Sequence, residues 1–293
     1  MKTLKRLFLT FLLVLVCSFG FSQDKHPAKI YRLETQDGNG YTGEIVAKDS
    51  LKVLFRSQKL GDLTILQKDI KSLLAVDSTQ IKGGKFWFKN PQATRYFFSP
   101  NGYGLKAGEG YYQNIWVLVN SFAIGINDYV SLGGGVIPAF LFAGAPTPAW
   151  ITVKVSIPVS KDKLNLGAGV LAGSVLGETN TGFGIFYGLA TVGSRDKNLS
   201  MGIGYGFSGG SISQAPMINL SGMYRVGSRS YLLTENYFFA GDSENAMIIM
   251  VGARQIIKNA GLDYGLVIPA GSGIGSFVAI PWLGITIPIG KRN

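Results

Sequence analysis

Apolar residues alternate with small or polar ones, at a period of two, through most of the chain beyond residue 110. In Trp150–Val159, WITVKVSIPV, one parity carries Ile151, Val153, Val155, Ile157 and Val159, and the other carries Thr152, Lys154 and Ser156. In Lys163–Val175, KLNLGAGVLAGSV, Leu164, Leu166, Ala168, Val170 and Ala172 oppose Asn165, Gly167, Gly169 and Gly173, broken by Leu171. Such alternation predicts strands whose two faces meet different surroundings. A soluble sheet turns a polar face to water, but here the second face is mostly glycine. The same rhythm predicts strands over Gly110–Ile126, Val130–Gly144, Trp150–Val159, Lys163–Val175, Phe183–Gly193, Leu199–Gly209, Pro216–Val226, Tyr231–Ala240, Ala246–Ile257, Leu262–Gly271 and Phe277–Gly290. They run to roughly ten residues or more, the length that crosses a bilayer when tilted.

Alternate turns are short and charged: Asn127-Asp128, Ser160–Lys163, Arg195–Asn198, Gly227–Arg229 and Lys258-Asn259. The others are richer in Gly, Pro, Ser and Thr, so tight periplasmic turns are expected to alternate with outer loops. Termini on one side of a membrane require an even strand number. Thr94–Pro100, TRYFFSP, is therefore the expected first strand of twelve, with Asn101–Gly108 as the first outer loop. In lipid every backbone group must pair within the protein, so only helices or closed barrels cross. A closed barrel turns its apolar face outward and keeps small or polar residues inside. In strand length, alternation and turn rhythm, the Gly110–Gly290 region resembles the outer-membrane β-barrel proteins of Gram-negative bacteria. The resemblance implies an all-β, antiparallel up-and-down barrel of about twelve strands in contact with outer-membrane lipid, and it carries no activity. Tyr111, Tyr112, Trp150, Tyr187, Tyr231 and Trp282 are expected in interfacial girdles. Pro138, Pro158, Pro269, Pro281 and Pro288 resist the strand pattern, because proline removes a ladder donor.

The start of the chain has a different grammar. Lys2, Lys5 and Arg6 precede an apolar run over Leu7–Val16, and Gly20-Phe21-Ser22 suits a signal peptidase, so residues 1–22 read as a secretory signal. Cys17 follows the bulky Val16, where a lipidation site wants a small residue. Residues 23–90 are rich in Lys, Asp, Glu and Gln, and residues 91–293 are rich in Gly and aromatics. Short strands are expected over Lys29–Gly38, Tyr41–Ser50, Leu51–Ser57 and Leu63–Val76. Their order, with Gly43 in the second, resembles Sm-like or SH3-like small barrels, without an RNA-binding motif. This domain is expected in the periplasm, and residues 29–80 would be its surface for a periplasmic protein partner.

The formal charge is +11, and loss of the three signal-peptide cations lowers it to about +8. The cations are scattered, which argues against nucleic-acid binding. Cys17 is lost with the signal, which leaves no disulfide, thiol chemistry or Cys/His zinc site. His26, the one histidine, precedes both domains and cannot serve a barrel site as a base. GIGYG (Gly202–Gly206) and GSGIGS (Gly271–Ser276) open no helix, so neither reads as a nucleotide loop. No enzyme activity and no cofactor are expected. What remains is charge on the inward parity: Lys154, Arg225, Arg254 and Asp263, with Glu235 open because Thr234 and Asn236 are the competing inward pair. These groups read either as an ion-pair network filling the lumen or as the lining of a small pore. The function expected is a narrow channel for small solutes. The alternative is a non-transporting structural or assembly barrel whose N-terminal domain binds a periplasmic partner.

Overall fold

The computed structural model describes residues 29–83, 85–240, 245–271 and 278–290. The signal sequence, Cys17 and His26 lie outside the described residues. The chain forms two compact units that divide between Phe86 and Trp87.

The small unit holds β1 (Ile30–Thr35), β2 (Gly40–Lys48), β3 (Lys52–Ser57), β4 (Gly61–Leu66) and β5 (Ile70–Val76) in an antiparallel sheet ordered β4-β3-β2-β1-β5. A short hairpin, β6 (Ile81–Lys82) and β7 (Lys85–Phe86), follows. The stretch expected as one strand over Leu63–Val76 breaks at a 3-10 turn, Gln67–Asp69. Leu33, Val53 and Phe55 form the core. Gly43 marks the bend of β2: a Cβ there would lie 1.9 Å from the Arg56 carbonyl oxygen, so only glycine allows the approach. The sheet stays open, with β4 and β5 as its edges.

The second unit contains β8 (Glu109–Ile115), β9 (Val119–Gly125), β10 (Val130–Val136), β11 (Thr147–Ser160), β12 (Leu164–Leu176), β13 (Phe183–Ser194) and β14 (Lys197–Ser208). After the two-residue β15 (Ser211–Ile212) come β16 (Met217–Arg225), β17 (Ser230–Phe239), β18 (Ala246–Ile257), β19 (Ala260–Gly271) and β20 (Ile280–Gly290). Among the described residues, twelve of these close an antiparallel up-and-down barrel, with β20 pairing β8 and β15 hooked onto β14.

The strand number agrees with the sequence reading, but the strands differ. Gly110–Ile126 is not one strand but the β8–β9 hairpin. Its turn places Trp116 and Val117 at φ 52° and 65°, closed by Leu118 N–H donating to the Ile115 carbonyl at 3.0 Å. This left-handed turn contains no Gly or Asn, the residues that normally mark it. Thr94–Pro100 is not in the wall at all. Pro138 opens a one-turn helix, α1 (Pro138–Phe142), and Pro158 sits at a register shift in β11.

The lateral faces separate cleanly. On β11, Ile151 and Ile157 are 65% and 51% exposed, while Lys154 and Ser156 are buried. Leu166, Leu199, Met201, Leu232, Val251 and Ile287 continue the outward apolar band around the wall. A closed barrel has no open edge, so this band can face hydrocarbon with every strand paired. The girdle assignment needs correction: Tyr111, Trp150, Tyr187, Tyr231 and Trp282 have the inward parity, and Tyr111, Tyr231 and Trp282 are buried. Tyr112, Tyr129, Phe122, Tyr224 and Tyr264 are the outward aromatics.

Candidate functional site

The near end of the barrel is where β8 begins and β20 ends. Its turns, between β11 and β12 or β18 and β19, are short. The segment before β8 enters the lumen here. Phe88 N–H donates to the Ser228 carbonyl at 3.2 Å in the β16–β17 turn. The segment climbs to mid-height, turns at Tyr96–Ser99 with Tyr96 N–H on the Ser99 carbonyl, and pairs Arg95 with Pro100 in an isolated bridge. It descends through Tyr103, whose hydroxyl donates to the Gly193 carbonyl at 2.5 Å, and reaches β8 after Gly108. Gln92, Tyr96, Phe97 and Asn101 are fully buried or nearly so. The segment is a plug loop.

Wall side chains from around the barrel hold the plug by its backbone. Glu235 Oε2 on β17 accepts the amides of Phe97, Phe98 and Ser99 at 2.9, 2.9 and 3.0 Å, and Tyr237 donates to Oε1 at 2.6 Å. Three consecutive N–H groups converging on one carboxylate oxygen make an anion nest, and charge-assisted bonds of this kind are the strong ones. Arg254 on β18 donates to the carbonyls of Gln92 and Tyr96 at 2.8 and 2.6 Å and forms a bidentate pair with Asp263 on β19 at 2.6 and 2.8 Å. Lys154 Nζ on β11 donates to the Tyr103 carbonyl at 2.6 Å. Arg225 pairs with Asp196 at 2.9 Å and donates to the carbonyls of Phe88, Gly227 and Ser228.

The structure therefore places Lys154, Glu235, Arg254 and Asp263 inside the barrel and Arg225 at its near end. Glu235 has the inward parity, and it is Tyr237 and Leu233, not Thr234 and Asn236, that share it. Of the five, only Arg254 and Asp263 contact each other among the described bonds. The others meet plug backbone or turn residues. Sequence reasoning missed Gln113, Thr191, Ser200 and Thr286, which also bond to the plug or to Tyr96 and Gln92 side chains. Inward parity would have found all four. Arg195, donating to the Gly104 carbonyl at 3.0 Å, lies in a charged turn and carries no such signal.

Above the plug the inner face changes character. A cavity of about 510 Å³ occupies the far half, lined by Ile115, Leu171, Ile185, Met250, Val267 and Trp282, among others. One wall of it is thinned by glycine. Trp150 stands opposite both Gly135 and Gly173, and a Cβ at Gly135 would lie 2.2 Å from its ring, so the indole lies where that side chain would be. Aromatic residues covering cross-strand glycines stabilise such pairs.

No family model matches the chain, and no curated protein matches it. Among solved structures, the KdgM porin is similar to this chain at 10% identity, with a TM-score of 0.45, over 61% of this chain and 98% of that one. OmpT of Vibrio cholerae is similar at 11% identity, with a TM-score of 0.35, over 89% and 94%. Likenesses this distant transfer no role. The architecture rests on the closed ladder and its apolar exterior: the second unit is a twelve-strand antiparallel β-barrel with a lipid-compatible outer face, and its near half is filled by its own plug loop.

Proposed function

We propose that the protein is a plugged, non-enzymatic barrel that forms a cup closed at its periplasmic end and holds no standing channel. The observation that carries this is the clasp of Glu235 on the three amides at the plug apex, midway along the lumen. A conducting pore needs a continuous aqueous path. Here Gln92, Tyr96, Phe97, Asn101 and Tyr103 occupy the near half without exposure above 5%. The short turns belong to the periplasmic side in this reading, and the small unit lies there too. Leu51, Leu60 and Leu74, exposed on that unit, give a periplasmic protein partner a surface to use. Planar-bilayer recording of the full-length protein tests the closed cup. The wild type is expected to show no steady conductance, and removal of residues 92–105 is expected to produce it. Steady conductance from the wild type would restore the narrow channel.

A further inference from the structure

The far-half cavity is apolar over most of its lining, but its floor and one wall are not. Arg95, on the plug, lines it, as do Lys154, Ser131 and Ser121 on β11, β10 and β9. The strand register sets them in two groups on the cavity lining, four residues apart along β9 and β10. Ser131 stands opposite Lys154, Ser121 stands opposite Gln113, and Gln113 accepts from Arg95 Nη1 at 2.6 Å.

The two groups have donors to spare. Neither Arg95 nor Lys154 has a carboxylate within ion-pair distance among the described residues. Lys154 spends one donor on the Tyr103 carbonyl although it is nine-tenths buried, and an ammonium has three. The Arg95 guanidinium otherwise lies over the rings of Phe98 and Tyr111, at 5.8 and 5.1 Å from their centroids. The hydroxyls of Ser121 and Ser131 and the indole N–H of Trp282, all facing the cavity, are buried without a hydrogen-bond partner. Buried donors without acceptors are costly. Glu235 cannot serve them, because its oxygens are taken by the plug amides and Tyr237.

An apolar chamber whose lining carries two cations without carboxylate partners, and hydroxyls without acceptors, is complementary to a molecule that is mostly apolar with an anionic end. Deepening the closed-cup reading on which it rests, we propose that the cavity binds a single-chain amphiphile with an anionic head, the head held by the cations Arg95 and Lys154 and the chain among the apolar residues above. Its volume is within the range of small-ligand sites. One side of the rim is low and greasy. β8 and β9 have seven residues each against 12–14 in β11–β14, and their turn exposes Trp116, Val117 and Leu118. A chain from the lipid phase enters there without crossing a polar barrier.

The test uses full-length protein in amphipol and cis-parinarate, a fluorescent long-chain carboxylate, read by energy transfer from the cavity tryptophans. Saturable binding at one per barrel is expected. Lys154→Met, or Arg95→Gln if the first variant does not fold, is expected to weaken the acid at least tenfold and leave methyl parinarate unchanged. Ser121→Phe, which fills the chamber, is expected to abolish both. Competition by laurate alone marks a free fatty acid as the natural ligand, and competition by lysophosphatidylglycerol alone marks a membrane lipid; either supports the site. Absence of saturable transfer in a correctly folded wild type overturns the proposal, as does equal binding of acid and ester that no charge variant alters. Conductance of the wild type would refute the closed cup and leave this binding result standing on its own.

Discussion

Glu235→Gln keeps the shape of the side chain and removes its charge, so it isolates what the carboxylate contributes to docking the plug. Three amides, at 2.9, 2.9 and 3.0 Å, lose a charged acceptor and keep a neutral one. Bonds to charged groups contribute about 1.5–3 kcal/mol, and neutral ones about 0.5–1.5. The loss is therefore about 1 kcal/mol per amide, and about 3 kcal/mol is an upper figure for bonds sharing one acceptor, which are not additive. Glutamine must also present an oxygen to the amides and its NH2 to the Tyr237 hydroxyl, which now donates to Oε1 at 2.6 Å. At 1.4 kcal/mol per factor of ten, the undocked plug rises by about tenfold for one amide's loss and by roughly a hundredfold at most. The assay is hydrogen exchange of the Phe97, Phe98 and Ser99 amides in the folded full-length protein. Those three are expected to exchange about ten to a hundred times faster, while amides in the β18–β19 ladder keep their rates. Wild-type exchange at all three positions would mean that the plug is held by something other than this clasp.

Asp263→Asn leaves the Arg254 guanidinium buried without its carboxylate; breaking such a pair costs about 3–5 kcal/mol, read as a lower temperature at which the folded, fast-migrating gel band disappears. Val155→Arg puts a cation on the lipid face and is expected to cost about 2–4 kcal/mol in a bilayer folding titration. Leu60→Arg, on an exposed turn of the small unit, is expected to change stability by less than about 0.5 kcal/mol. Gly43→Ala forces a methyl against the Arg56 carbonyl, so limited proteolysis is expected to cut within residues 29–83 while the barrel band persists. Asp49 accepts the amides of Leu51 and Lys52, which hold its carboxyl below the usual 3.8. The stability it adds is present above that value and lost as pH falls through the lowered one. Asp49→Asn should therefore make the small unit's unfolding less steep in acid, followed by its near-ultraviolet circular dichroism.

The barrel was legible because lipid imposes a rule on every strand. Ile151, Val153, Val155 and Ile157 point outward because no alternative partner exists for them, and the period of two records this directly. The β8–β9 turn was not legible. Turn rules rely on residues that adopt positive φ cheaply, and Trp116 and Val117 do so at a cost of about 1–3 kcal/mol each. Trp116 offsets part of that cost through its indole N–H, which donates to the Pro281 carbonyl at 2.7 Å, and through its edge contact with Trp282 at 5.0 Å. No local pattern announces a compensation that lies 165 residues away. Thr94–Pro100 misled for the opposite reason. Its extended, aromatic-rich sequence suits a strand, but its hydrogen bonds go to wall side chains. The charges at Lys154, Arg254 and Asp263 were legible as inward by parity, and so was an ion pair such as Arg254–Asp263; the use of Lys154 and of the remaining Arg254 donors was not, because their partners are plug backbone groups that any sequence possesses.

That last point explains why the plug stays where it is. A loop inside a closed barrel has no sheet to join, yet its buried amides and carbonyls must still be paired. The loop supplies few pairs of its own, chiefly Tyr96 N–H to the Ser99 carbonyl and Asn101 N–H to the Thr94 carbonyl. The wall supplies the rest, sorted by sign: the carboxylate of Glu235 takes N–H groups, and the cations of Arg254, Lys154 and Arg195 take carbonyls. Neither set is satisfied alone. Without the plug, the wall holds charges in a narrow lumen with Arg254–Asp263 as their fully buried mutual pair among the described residues; without the wall, the plug's buried backbone groups lose most of their partners. Because much of the recognition uses backbone, side chains at the plug apex are left for another surface, and Phe98, Arg95 and Pro100 line the apolar chamber. The charged clasp below and the greasy chamber above are thus two faces of one loop. A substitution that loosens the clasp should also loosen binding in the chamber, whereas filling the chamber should leave exchange at the clasp unchanged.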